Sequence, residues 1–264
     1  FRSLAPTTAA GVRGSAVIDW DLIRAIVLDI EGTTCPVDFV TGSLFPYARE
    51  HLGSLLSQGD QQAVLGPLLQ EVQQAWQQEA DPNAPPFTKP QDHLALLPYL
   101  HWLIDQDRKL APLKELQGLT WRHGYDSGAL TTPLFADVAP ALRHWHQLGL
   151  RLAVYSSGSV AAQQLFYGHT GDGDLSGFFE RWYDTRLGPK KEAQSYTLLA
   201  ADLQLPTHAV LFISDASGEL AAAQAAGLQI CGSQRSGNPE TLSSDWPVVS
   251  SLETLAQQGQ PGLR

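Results

Sequence analysis

Short, unbroken apolar runs recur along this chain, and three of them end on polar or charged residues. Ala25-Ile26-Val27-Leu28 leads into Asp29, Leu152-Ala153-Val154-Tyr155 into Ser156, and Val210-Leu211-Phe212-Ile213 into Ser214-Asp215. Runs of this length and continuity predict strands buried on both faces, as in a parallel sheet. Helical spacing separates them: Val138–Leu148, Ser159–Phe166, Glu192–Leu203 and Glu219–Ala226 predict helices. Phe178–Tyr183 predicts a short strand, and Leu228–Cys231 and Pro247–Val249 predict edge strands. Alternation of strand and helix after Pro133 predicts a doubly wound parallel α/β sheet with the Asp29 strand central. The stretch from Pro36 to Pro133 departs from that alternation and reads as helical. Thr41–Leu56 is one amphipathic segment; Asp60–Glu79 is another, with Val64, Leu65, Leu68, Val72, Ala75 and Trp76 at helical spacing. Asp81-Pro82-Asn83-Ala84-Pro85-Pro86 breaks the chain, and Pro90–Gln106 and Leu113–His123 predict two more helices. The expected organisation is a core of 23–35 and 134–264, an inserted helical cap domain of 36–133, and an N-terminal extension of 1–22.

Ligands of such sheets sit beyond the carboxyl ends of the strands. The first run therefore delivers Asp29, and two residues later Glu31, to the place where chemistry is done. Carboxylates this close repel unless a cation stands between them or one takes a proton. Taken alone, Asp29 reads equally well as a helix cap and Glu31 as a solvated acid. Three later segments add a hydroxyl at Ser156, a lysine in the turn Gly188-Pro189-Lys190-Lys191-Glu192, and a further acid at Asp215. This ordered set of acid pair, hydroxyl, lysine and acid resembles the haloacid dehalogenase-like phosphohydrolases. The resemblance implies that Asp29 attacks phosphorus as a carboxylate nucleophile. It implies that Asp29 and Asp215 hold Mg²⁺, a hard cation suited to oxygen ligands and phosphate. Ser156, with neighbouring backbone N–H groups, would grip the phosphate oxygens, and Lys190 would set a positive charge against them. The helix opening at Ser159 would present its N-terminus to the same anion.

A narrower resemblance rests on Asp29-Ile30-Glu31-Gly32-Thr33-Thr34, Phe45-Pro46-Tyr47-Ala48, Leu116-Gln117-Gly118, Trp121, Tyr155-Ser156-Ser157-Gly158-Ser159, Lys190, Glu192-Ala193-Gln194-Ser195-Tyr196 and Ser214-Asp215. Over roughly Arg24 to Gly232 the chain is similar to the acireductone synthases, the enolase-phosphatases of methionine salvage. Glu31, where most relatives carry a second Asp, is a specific marker; Cys35 and Asp38 depart from the pattern without touching the chemistry. The resemblance implies a Mg²⁺-dependent phosphoric monoester hydrolase with enolase activity and one Mg²⁺ per subunit. Its substrate would be a phosphorylated diketone, 2,3-diketo-5-methylthiopentyl-1-phosphate, and its product the acireductone. Ser156, Ser157 and Lys190 would bind the phosphate. Glu31 would meet the metal through its backbone carbonyl while its carboxyl moves protons. Glu219, one helical turn beyond Asp215, reads either as a partner of Lys190 or the metal, or as a first-turn acid matching the helix dipole. The cap would select the tail through such residues as Arg108, Lys109, Lys114, Phe39, Phe45, Trp102 and Trp121. The alternative reading is a generic capped phosphatase of sugar phosphates or similar metabolites. A catalytically silent phospho-ligand module is disfavoured, because Asp29, Ser156, Lys190 and Asp215 all stand.

Composition narrows the partners. The 264 residues carry a formal charge of -10, which argues against nucleic acid and anionic membranes, since phosphate backbones demand clustered Lys and Arg. No apolar run has the length to span a bilayer. Cys35 and Cys231 make no disulfide framework and predict free thiols in a reducing cytoplasm. A monomer is expected. His144 and His146 read as a solvated helix face. Phe1–Ser15, rich in Ala, Thr, Gly and Ser with Arg2 and Arg13 and no acid, only weakly resembles a transit peptide.

Overall fold

The computed structural model describes residues 17–57, 62–88 and 92–259; most of the expected N-terminal extension lies outside these. The chain divides into two compact units, one formed by residues up to Val37 and from Thr132 onward, the other by Asp38–Thr131.

The first unit is built on a six-stranded sheet. Its strands are β1 (Ala25–Leu28), β2 (Arg151–Tyr155), β3 (Arg181–Tyr183), β4 (Val210–Ser214), β5 (Gln229–Ser233) and β6 (Val248–Val249). The order is β3-β2-β1-β4-β5-β6, and every neighbouring pair is parallel. β1 lies between β2 and β4, and all four of its residues are buried. That is the environment its unbroken apolar run requires. Among the described residues this unit also has the α-helices α5 (Val138–Gln147), α6 (Val160–Gly168), α7 (Ala193–Asp202), α8 (Ser217–Ala225) and α9 (Leu252–Gln258). Helix α5 buries one face through Val138, Ala139, Ala141, Leu142 and Trp145, the spacing of an amphipathic helix. One core cluster joins Val27, Tyr155, Tyr196, Leu199, Phe212 and Leu220.

The second unit contains helices α1 (Phe45–Ser57), α2 (Gln62–Gln77), α3 (Leu97–Asp105) and α4 (Ala111–Asp126). Leu52, Leu65, Val72, Trp76, Tyr99, Leu103 and Leu116 share its core. Trp121 donates to Leu44 O at 2.7 Å and stands 6.1 Å from Phe45. Arg108 pairs with Glu79 and Lys109 with Asp107.

Several expectations need correction. The segment expected as an edge strand at Leu228–Cys231 is β5, which pairs on both sides; β3 and β6 are the edges. Phe178 belongs to a short 3-10 turn, and β3 starts only at Arg181. Val40–Leu44 winds as a π-type turn before α1. Val64, expected in the apolar stripe of α2, is exposed. His144 is not simply solvated: its Nε2 is buried. Cys35 and Cys231 are free and buried. Helix α9 has no counterpart in the pattern reading.

Candidate active site

Asp29 follows directly on β1, and its N–H donates to Ile213 O of β4 at 3.0 Å. The chain then curls tightly. The N–H groups of Thr33, Thr34 and Cys35 all donate to Ile30 O, at 3.1, 2.8 and 3.2 Å, and Gly32 N donates to Cys35 O at 2.8 Å. Gly32 has φ +68°, and a Cβ there would overlap the Asp215 carboxylate. Only glycine meets both conditions. The close approach sets Asp215, at the end of β4, directly against the loop that carries Asp29 and Glu31.

Lys190 reaches this cluster from the turn before α7. Its Nζ donates to Asp29 Oδ1 at 2.6 Å and pairs with Glu219 Oε2 at 2.7 Å, with the side chain only 9% exposed. Three hydrogen bonds fix the turn: Tyr155 OH to Gly188 O at 2.9 Å, Tyr196 OH to Lys190 O at 2.7 Å, and Ser195 Oγ to Pro189 O at 2.8 Å. Lys191 is exposed. Ser214 Oγ stands 3.2 Å from Asp29 Oδ2 and 3.0 Å from Glu219 Oε2. A hydroxyl has one proton, so it can donate to only one of these carboxylates at a time.

Opposite, the loop after β2 carries Ser156, whose Oγ accepts from Gly158 N at 3.3 Å. Ser159 caps α6 by accepting from Ala162 N, which sets that helix's N-terminus beside the loop. Gln163 Nε2 donates to Gly158 O and to Tyr183 O, both at 2.8 Å, and so pins the loop from behind. A cleft of about 210 Å³ opens between these segments. Asp29, Glu31, Ser156, Ser157, Lys190, Asp215, Glu219 and Glu240 line it. Every residue expected to do chemistry is thus on one wall or another of a single cleft.

The electrostatics are one-sided. Burial disfavours the Lys190 ammonium, but the charges of Asp29 and Glu219 outweigh that and hold its pKa above the ordinary value. Burial, then the charge of Asp29, pushes the Asp215 carboxyl up to about 7. Burial and Asp29 also raise Glu219, against the pull of Lys190. Five carboxylates (Asp29, Glu31, Asp215, Glu219 and Glu240) line the cleft with the single ammonium of Lys190, an excess of negative charge that a divalent cation would offset. The donors are all oxygen, which suits Mg²⁺. No three His, Cys, Asp or Glu side chains among the described residues form a ready cage. That accords with Mg²⁺ habitually taking one or two carboxylates and completing its shell with water and phosphate. The donor set therefore fits the expected ion, for which Asp29, Asp215 and the Glu31 carbonyl would be the protein ligands.

Sequence pattern leaves the role of Glu219 open; the contact with Lys190 answers it. The pattern assigns nothing to Gln163, Ser233, Arg235 or Asn238, which grip the backbone of the two loops. Their only signal in the sequence is polar identity: Gln163 lies within α6, Ser233 ends β5, and Arg235 and Asn238 sit in the turn that follows.

Comparison with known proteins follows the same line. The model of the haloacid dehalogenase-like hydrolase family matches residues 23–227. Enolase-phosphatase E1 of Synechococcus sp. strain RCC307 is 82% identical over 249 residues, covering 94% of this chain and all of the relative. Enolase-phosphatase E1 of Synechococcus elongatus is 45% identical, covering 88% of this chain and 98% of its own. Among solved structures, the UTR4 protein of Saccharomyces cerevisiae superposes with a TM-score of 0.73 at 29% identity, over 87% of this chain and 98% of that one.

Proposed function

Because the chain belongs to the haloacid dehalogenase-like hydrolases and, among them, to the enolase-phosphatases, we propose that its cleft converts 2,3-diketo-5-methylthiopentyl-1-phosphate to the acireductone and inorganic phosphate. The observation that carries this reading is Asp29 at the end of β1, with Oδ1 held 2.6 Å from a buried Lys190 in a cleft shared with Ser156, Ser157 and Asp215.

Two reactions share the site. First, a base removes a proton from the carbon bearing the phosphate, next to a ketone, and the electrons move onto the ketone oxygen, which takes a proton from solvent to give the enol. Glu31 is assigned this role, because it lines the cleft and its arm is one methylene longer than that of Asp. Then Asp29 attacks phosphorus in line; the new O–P bond forms as the bond to the enol oxygen breaks. The leaving oxygen takes a proton from the acid form of Glu31. Water, losing its proton to the same carboxylate, attacks the aspartyl phosphate, releasing phosphate and restoring Asp29. Lys190, the Ser156 hydroxyl and the backbone at Ser157 stabilise charge on the equatorial oxygens. Bound Mg²⁺ would neutralise the crowded carboxylates and phosphate so that an anionic nucleophile can approach an anionic ester. The inserted helical unit is assigned the role of cap.

The test follows enol absorbance and phosphate release together on the diketone phosphate, beside a panel of sugar phosphates. Enol formation with or before phosphate is expected, and phosphate release is expected to vanish in Asp29→Asn. Faster release from the sugar phosphates would overturn the substrate assignment.

A further inference from the structure

The acid cluster hinges on its least constrained residue. Gly32 connects Glu31 to the rest of the loop, and glycine has the widest backbone freedom of any residue. It cannot be stiffened by substitution, because its φ is +68° and the Asp215 carboxylate occupies the Cβ direction. Its N–H is tied within the loop to Cys35 O, while its carbonyl is held from outside, by the end of β5 and the segment that follows it. Asn238 Nδ2 donates to Gly32 O at 3.1 Å and to Ser233 O at 3.0 Å. Ser233 Oγ donates to the same Gly32 O at 3.3 Å. The next carbonyl, Thr33 O, accepts from Arg235 Nε at 3.2 Å and Nη2 at 3.0 Å. Arg235 is itself locked: its Nη1 donates to both Asp137 oxygens and to Ser250 O, and its guanidinium lies 4.5 Å over Phe135.

The segment is closed as an arch. Gln234 Nε2 donates to Glu240 O and Gln234 Oε1 accepts from Leu242 N, both at 2.9 Å. Its far end also reaches the second acid loop, where Glu240 Oε2 accepts from Ser217 N at 3.1 Å, two residues past Asp215. One arch therefore grips the loop of Asp29 and the loop of Asp215 together.

We propose that Asn238 is a positioning residue for the reaction. By holding the Gly32 carbonyl it fixes the Gly32–Thr33 peptide plane, and through it the loop that places Asp29 and Glu31 against Asp215. It is not among the residues lining the cleft, so it acts through the loop and not on substrate. Ser233 is its backup on the same acceptor. This rests on Asp29 being the nucleophile.

Single-turnover phosphate release, kcat, KM and melting temperature would be measured for Asn238→Ala, Asn238→Asp, Ser233→Ala and the double Ala variant. An ångström of misplacement costs on the order of a hundredfold. Asn238→Ala should lower kcat about ten- to a hundredfold with KM within about twofold, the split expected when only the reacting geometry is disturbed. Asn238→Asp keeps the shape but loses the donation, so it should fall at least as far; it also serves if the Ala variant folds poorly. Ser233→Ala alone should stay within about threefold, and the double variant should fall by more than the product, because each donor covers for the other. A kcat within twofold of wild type in Asn238→Asp, a loss confined to KM, or effects that simply multiply would overturn the proposal. An Asp29→Asn control run alongside separates the two claims: retained phosphate release there would remove the nucleophile assignment itself.

Discussion

Asp215→Asn should make the metal-free protein more stable while abolishing its activity. The carboxyl of Asp215 is pushed from its ordinary 3.8 to about 7, first by burial and then by Asp29. A folded-state pKa above the unfolded one means the folded chain holds that proton more tightly. Stability is therefore lost as pH rises from about 4 to about 7, and the full penalty stands above that. At about 1.4 kcal/mol for each tenfold in proton affinity, the rise corresponds to about 4 kcal/mol. Asp215 is only partly buried, and screening by solvent reduces this to about 2 kcal/mol. An amide of the same shape carries no such penalty. For a chain of this size the difference is worth about 4–8 °C in melting temperature. The assay is thermal unfolding of wild type and Asp215→Asn in EDTA at pH 8 and pH 5. The variant should melt higher at pH 8, and less than half of that gain should survive at pH 5. Adding Mg²⁺ at pH 8 should raise the wild type and leave the variant nearly unmoved. A variant that melts at or below wild type at pH 8 in EDTA, or whose gain is the same at both pH values, would refute the account of Asp215 as a strained carboxylate waiting for a cation.

Two further outcomes follow from the same geometry. Gly32→Ala should cost about 1–2 kcal/mol for its left-handed backbone alone and more for displacing Asp215, with phosphate release lost; denaturant unfolding and a phosphate assay check both. Lys190→Met should leave Asp29 and Glu219 facing without their cation, costing about 3 kcal/mol by the usual penalty for breaking a buried pair and at least a hundredfold in phosphate release, whereas exposed Lys191→Met should stay within twofold; the reverse ranking would show that the wrong lysine has been assigned.

The pattern of apolar runs revealed the sheet because its strands are short and buried on both faces, so burial itself writes the signal. Asp29, Ser156 and Asp215 were legible for the related reason that the polar residue ending such a run must emerge at the sheet's carboxyl edge. The position of β5 was not legible. A strand's neighbours are a matter of other segments, and its outer partner β6 is only two residues long. The role of Glu219 was equally undetermined, because a helical turn from Asp215 says nothing of a lysine that arrives from the separate turn before α7. Arg235 and Asn238 sit in a polar turn with a glycine between them, which by composition is any solvated loop. Their significance lies in which carbonyls they meet, and Gly32 is 206 positions away from Asn238.

The sheet order also governs when this protein can exist. β1 is the first of the described strands, yet it pairs with β2, which begins at Arg151, and β4, which begins at Val210. Until both have been synthesised, its four apolar residues form an unpaired edge, the kind of segment that invites association between chains. The last brace, at Asn238, arrives later still. High separation between partners slows folding, and here it also means that no shorter intermediate assembles the acid cluster. Asp29, Lys190 and Asp215 can converge only after β4 has been made, so hydrolytic competence waits on a strand that begins 181 positions after Asp29.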